Sequence, residues 1–342
     1  MRTPFAPTHK RYLGLAPLLS LLKLGLFALG LLVLGLLGCA QGPNDRRCSE
    51  DFRLTWSDKS RLLNHVETLS SDQFAGRKTG TEGAAQARDY IAGQMQQAGL
   101  SPWLGRFDHD FEYDYQFGTR QGTNVIGILP ASKPIDRWRL VVAHYDHLGK
   151  RGYKLYHGAD DNASGIAGLL EIAAHSANQA RDANLMFIAT DAEEPGLYGS
   201  KAFVDGLMAP DAALKSSQIT LMINLDMIGR PPRNSRIYLE GRRGFDQFEQ
   251  IKAQLEQSVN LCIRANHPPE AGKTIQRVDW LRASDHYPFH QAGIPWLYFG
   301  VPPHKDYHQP SDEASKIDVN FLAAVTETAY KLLIMDTYLL NN

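Results

Sequence analysis

Four short apolar runs restrict the fold more than any other feature of the chain: "RLVVAHYD" (139–146), "NLMFIAT" (184–190), "ITLMINLD" (219–226) and "IPWLYFG" (294–300). Near-continuous apolar runs of this length read as strands buried on both faces. Segments with a helical period lie between them, "SGIAGLLEIAAHS" (164–176) and "FDQFEQIKAQLEQ" (245–257). Strands alternating with helices predict an α/β domain built on a mainly parallel central sheet, covered by helices on both faces.

Other segments extend this pattern. "TNVIGIL" (123–129) reads as a further strand. Ala84, Ala87, Ile91, Met95 and Ala98 fall at spacings of three and four, one face of a helix that Gly99 ends. A closing helix is expected from about Asp318, with Leu322, Val325, Ala329 and Leu332 inward. The stretch 104–122 shows no clear period. With 342 residues, 43% of them hydrophobic, the chain suits one large α/β domain or two small ones and can bury a substantial core. The formal net charge is -1 and no long basic tract exists, which argues against nucleic-acid binding.

The N-terminus stands apart. Residues 1–38 hold Arg2, Lys10, Arg11 and Lys23 and no acid, and the apolar run 24–38 is short for a membrane span. It ends in "LLGC", which resembles a bacterial lipobox with Cys39 as the lipidated first residue. The expected organisation is a signal peptide at 1–38, a polar tether at 39–57 and a single domain at 58–342. The mature chain then carries a net charge of -5, with 32 basic and 37 acidic residues. An exported lipoprotein is therefore expected, anchored in a membrane through Cys39 and facing the periplasm or cell exterior. The outer membrane is favoured because no acidic residue follows Cys39 directly. Cys48 and Cys262 remain as an even pair in an oxidising compartment, either bridged or as two thiols.

Polar residues gather where the strands end. His144 and Asp146 close one, Glu193 and Glu194 follow the next, Asp226 closes a third, and "HKDYHQPSDE" follows the last. "GADDNASG" (158–165) lies between a strand and its helix. Ligands of open α/β sheets bind beyond the carboxyl ends of the strands. Imidazoles and carboxylates converging there, without usable thiols, fit zinc or a similar divalent ion. Five ligand-type residues exceed the need of one catalytic zinc, and two metals sharing a carboxylate account for all of them.

The segments "AHYDHLG", "GADDNASG", "DAEEPGLYGS", "NLDMIGR", "SDHYPF" and "YHQPSDE", in this order, resemble the co-catalytic zinc aminopeptidase family. These zinc exopeptidases also include glutamate carboxypeptidase II and the glutaminyl cyclases. The resemblance covers the chain from about residue 69 to its end. It implies a three-layer aminopeptidase-like fold, two Zn2+ or similar ions, and hydrolysis of N-terminal bonds in peptides with a free N-terminus. Residue by residue, it implies that Asp160 bridges the metals, Glu194 and His308 complete one site, and His144 and Asp226 the other. Glu193 is then the general base for a bridging water, Asp146 orients the His144 imidazole, and Tyr307 donates to the oxyanion. Asp161 reads as structural, and His147, His157 and His286 as rim or packing residues. Asp285 reads as pocket wall or local cap, and Arg77 has no derivable role. The substrate pocket is expected from loops at 197–198, 230–236 and 280–287. Two other readings are a single-zinc glutaminyl cyclase and an inactive lipoprotein binding module. The cyclase pattern has serine after the bridging-type aspartate and tryptophan before the last histidine, where this chain has Asp161 and Tyr307. Loss of a ligand or of Glu193 would mark the binding module, and none is lost.

Overall fold

The computed structural model describes residues 48, 50–232, 235–268 and 278–340. The signal segment, Cys39, the first part of the tether and residues 233–234 of one expected pocket loop lie outside them. Eleven strands are β1 (Ser101–Pro102), β2 (Asp108–Tyr115), β3 (Gly118–Leu129), β4 (Trp138–His144), β5 (Lys150–Arg151), β6 (Lys154–Leu155), β7 (Asn184–Thr190), β8 (Ile219–Asp226), β9 (Arg236–Glu240), β10 (Cys262–Ala265) and β11 (Trp296–Gly300). The helices are α1 (Lys59–Leu69), α2 (Glu82–Gln97), α3 (Gly165–Ala177), α4 (Tyr198–Leu207), α5 (Phe248–Val259), α6 (His286–Gln291), α7 (Val319–Leu333) and α8 (Thr337–Leu340).

Nine strands form one sheet in the order β1-β3-β7-β4-β8-β11-β9-β10, with β2 also paired to β3, while β5 and β6 form a separate small hairpin. The expected α/β fold stands. Its parallel character belongs to the four central strands β7, β4, β8 and β11. Towards the edges, β3 and β9 join this block antiparallel, and β10 runs parallel to β9. β2 occupies the stretch that shows no helical or strand period, and it pairs with β3 along its whole length.

Strand periodicity sets the layers. Leu140, Val142, Met186, Ile188 and Met222 face one side and pack with Val204 and Leu207 of α4 and Phe289 of α6. Val141, Ala143, Phe187, Ala189, Ile223 and Leu225 face the other and pack with residues of α1, α3 and α7. Asp58 caps α1 by accepting from the Ser60 and Arg61 amides, and Asp318 caps α7 by accepting from those of Asn320 and Phe321. Cys48 is bonded to Cys262 at the start of β10, their Cα atoms 5.6 Å apart. Among the described residues no helix is long and apolar enough to cross a membrane.

Candidate metal centre

β7, β4, β8 and β11 run in one direction, so their carboxyl ends line up along a single edge of the sheet. His144 is the last residue of β4 and Asp226 the last of β8. Glu193 and Glu194 sit in the turn after β7. The turn is held by Asp146, whose carboxylate accepts from the Glu193 amide at 3.0 Å and the Glu194 amide at 3.2 Å. Asp191, the third acid of that cluster, faces away and accepts from the Thr79 hydroxyl and the Thr123 amide. Ala192, Met227 and His308, beside or within the cluster, have φ of 54°, 58° and 54°, the left-handed region that side chains disfavour. Such strain costs about 1–3 kcal/mol each and concentrates at functional sites.

Two groups of ligand-type atoms share one carboxylate, that of Asp161. Its Oδ1 lies 3.5 Å from His144 Nε2, which is 3.4 Å from Asp226 Oδ1. Its Oδ2 lies 3.2 Å from His308 Nε2 and 3.7 Å from His147 Nδ1. Glu194 joins this second group, with Oε2 3.1 Å from His308 Nε2 and Oε1 2.8 Å from His147 Nδ1. His144, Asp161, Glu194, Asp226 and His308 therefore converge as expected, with one substitution. Asp160 does not take the shared position. Its Oδ1 accepts from the Gly229 amide at 2.7 Å and its Oδ2 lies 3.1 Å from His304 Nε2. Asp312 fixes this choice by accepting from the amides of both Asp160 and Asp161. Asn162 fixes it further by accepting from the Met227 amide and donating to the Leu225 carbonyl, which ties the segment to the end of β8.

His147, read as a rim or packing residue, Arg77, read as having no derivable role, and Gly158 also belong to the centre or its frame. His147 is 1% exposed and faces Glu194 and Asp161 instead of the rim. Arg77 is fully buried, and its guanidinium donates to the carbonyls of Leu69, Tyr145, His157 and Gly158, joining the end of β4 to the loop before Asp161. Gly158, at φ 60°, packs so tightly that a Cβ would collide with the Asp161 carbonyl and the His147 ring. No sequence period marks these contacts. His157 and His286 are packing residues, bonded to the carbonyls of Ser70 and Trp280. Asp285 accepts from Thr190 Oγ1 at 2.6 Å and makes no cap bond.

Protonation follows from burial and crowding. Burial pushes Glu193 well above the usual carboxylate range, against the pull of His144. Burial opposes charge on His308, yet hydrogen bonds to Asp161 and Glu194 carry its pKa to about 10. Burial raises Tyr307 strongly, so its hydroxyl keeps its proton. Asp146 lies near His144 as expected, but the imidazole contact is through its backbone carbonyl, 3.2 Å from Nδ1, with the carboxylate 3.8 Å away. His147 Nδ1 and Nε2, Asp161 Oδ2 and Glu194 Oε1 are buried without a well-formed hydrogen bond. Orphaned nitrogen and oxygen donors aimed at one space, with no thiol among them, fit a divalent metal such as zinc.

A pocket of about 70 Å3 adjoins the cluster, with Glu193, Tyr307, Met227, Trp280 and Tyr298 among its lining. Residues of the expected loops 280–287 and of β11 thus shape it.

The model of peptidase family M28 matches residues 124–333. The chain is 30% identical to uncharacterized protein YfbL of Escherichia coli over 230 residues, 60% of this chain and 68% of that one. It is 27% identical to leupeptin-inactivating enzyme 1 of Streptomyces exfoliatus over 258 residues, 74% of this chain and 50% of that one. Aminopeptidase YwaD of Bacillus subtilis is 31% identical over 215 residues, 59% of this chain and 42% of that one. The chain thus spans about half the length of the latter two relatives. Among solved structures, a zinc aminopeptidase from Bacillus subtilis superposes with a TM-score of 0.63 at 17% identity, over 82% of this chain and 96% of that one. The glutaminyl cyclase of Fimbriiglobus ruber does so with 0.65 at 20%, over 84% and 98%. At such identities the likeness is one of fold.

Proposed function

From the fact that this chain belongs to peptidase family M28, we propose that it is a two-zinc aminopeptidase. The observation that carries the reading is the pair of ligand groups joined through Asp161. His144, Asp226 and Asp161 would hold one ion, and Glu194, His308 and Asp161 the other, with His147 beside the second group. When bound, zinc supplies Lewis-acid polarisation of the scissile carbonyl and a water that ionises near neutral pH. Glu193 takes the proton of the attacking water and returns it to the leaving amine. Tyr307 keeps its hydroxyl proton and donates to the carbonyl oxygen as it gains charge. Asp146 holds both glutamates in place through their amides. The small pocket has room for one side chain, which supports removal of a single N-terminal residue.

A one-zinc cyclase is the second reading on this fold. With Asp161 as the shared acid, the residue after it is Asn162, not serine, and Tyr307 still stands where that pattern has tryptophan. The deciding experiment measures metal content and kcat on aminoacyl-p-nitroanilides. Glu193→Gln should keep about two equivalents of metal and lose kcat by roughly 10²–10⁴. Glu194→Gln should lose metal as well. If Glu193→Gln loses the metals, the base assignment fails; a single tight equivalent with full activity favours the cyclase.

We also propose that the mature protein is an exported lipoprotein starting at lipidated Cys39, and the bonded Cys48 and Cys262 agree with an oxidising compartment. Mass spectrometry of the N-terminus from membranes checks this, and an unmodified start ahead of Cys39 would refute it.

A further inference from the structure

A cleft of about 790 Å3 meets the small pocket at Glu194, which lines both. Its floor includes Asp146 and His147, and its walls come from the β2–β3 hairpin, the β5–β6 hairpin and the loop at 78–80. Three exposed cations ring it, Lys78, Arg120 and Arg151, one from each wall. Among the described residues none of the three has a carboxylate within ion-pair distance, and Arg151 lies instead 5.4 Å above the Tyr156 ring. Glu112 is the one carboxylate of the lining apart from Asp146 and Glu194. Tyr113 and Tyr115 supply flat apolar surface, and Tyr113 is fixed by stacking on Tyr198 at 4.3 Å.

The two spaces differ in what they can hold. The small pocket is lined by Trp280, Tyr298 and Met227 among others and has room for one side chain. With the residue before the scissile bond in the small pocket, the larger cleft, joined to it at Glu194, is the space available to the chain beyond the bond. Unpaired cations beside tyrosine faces, in a space of peptide size, are matched by carboxylates on an extended chain. On the aminopeptidase reading, we propose that the Lys78–Arg120–Arg151 cleft selects peptides with carboxylates downstream of the cleaved bond. Those carboxylates come from acidic side chains or from the C-terminus of a short peptide. Each partly exposed pair contributes about two- to fivefold, so a substrate gains about that factor for each downstream carboxylate.

The test compares kcat/KM of the zinc-loaded full chain for Leu-Asp-Asp-amide, Leu-Ala-Ala with a free carboxylate, and Leu-Ala-Ala-amide. Leucyl-p-nitroanilide, which has no downstream residue, is the reference. At low salt Leu-Ala-Ala, with one carboxylate, should exceed the neutral amide by about two- to fivefold and Leu-Asp-Asp-amide, with two, by about four- to twenty-five-fold, and the two arms separate side-chain from terminal carboxylate. The variant Lys78→Glu, Arg120→Glu, Arg151→Glu should bring the ratio to one or below, and 0.5 M salt should shrink it in the wild type. If the triple variant does not fold, Arg120→Glu and Arg151→Glu singly should each lower the ratio. Turnover of the nitroanilide with equal rates on all three peptides overturns this inference and leaves the peptidase reading intact. No turnover of any substrate overturns the reading beneath it.

Discussion

Asp160 and Asp161 are neighbours with opposed surroundings. One is engaged by the Gly229 amide and His304, the other stands between His144 and His308. Asp161→Asn should therefore drop metal content from about two equivalents to below one, with kcat falling at least about a hundredfold. Asp160→Asn should keep the metals, since an amide oxygen still accepts from Gly229. Elemental analysis decides, and the reverse pattern would return the shared position to Asp160. The sequence presents two adjacent acids and no local signal of which one turns inward. That choice rests on Asp312 and Asn162, which accept from the backbone amides of Asp161 and Met227, 151 and 65 residues away in the chain. The residues at strand ends were legible because the parallel sheet alone fixes their common edge. His147 was not, because its direction depends on a turn that Arg77 organises from outside the motif.

α7 shows how an element is locked to the rest. Glu327, 3% exposed, accepts from the amides of Thr55, Trp56 and Ser57 and from the hydroxyls of Thr55 and Ser57. Burial raises its pKa, but these bonds outweigh that and hold it below the ordinary value of 4.5. A carboxyl with a lowered folded pKa stabilises the fold above its unfolded value and loses that contribution as pH falls through the folded one. Glu327→Gln should cost about 2–4 kcal/mol at pH 7 by chemical denaturation. The gap to wild type should narrow as pH drops below about 4.5, the unfolded carboxyl range. A gap that stays constant with pH would contradict the charge assignment. The helix itself is legible from its apolar period, but Glu327 is not, because its donors lie some 270 residues upstream. β9 and β10 escape sequence reading for a related reason. They are five and four residues long, and their pairing with the block around β11 defines them more than their own composition.

At the scale of the whole molecule, the disulfide closes a loop between residues 214 positions apart, from the first described residue to the edge strand β10. The consequence is mechanical. A pull applied from the N-terminal side of Cys48 acts on that residue before any strand, and the covalent bridge passes the load to Cys262. Stretched between Cys48 and the C-terminus, the oxidised chain can pay out only the segment after Cys262, about 80 residues or roughly 270 Å. With the thiols reduced, the same pull should release close to 1,000 Å, at roughly 3.4 Å per residue. Optical-tweezer extension before and after reductant measures the difference, and equal lengths would mean that no bridge carries force. His144, Asp161, Glu194 and Asp226 all lie inside the shielded loop, whereas His308 lies in the segment that bears the load. With the C-terminus held as well, such a pull would reach this cluster through His308 first, and slacken that corner while the other four residues stay in place.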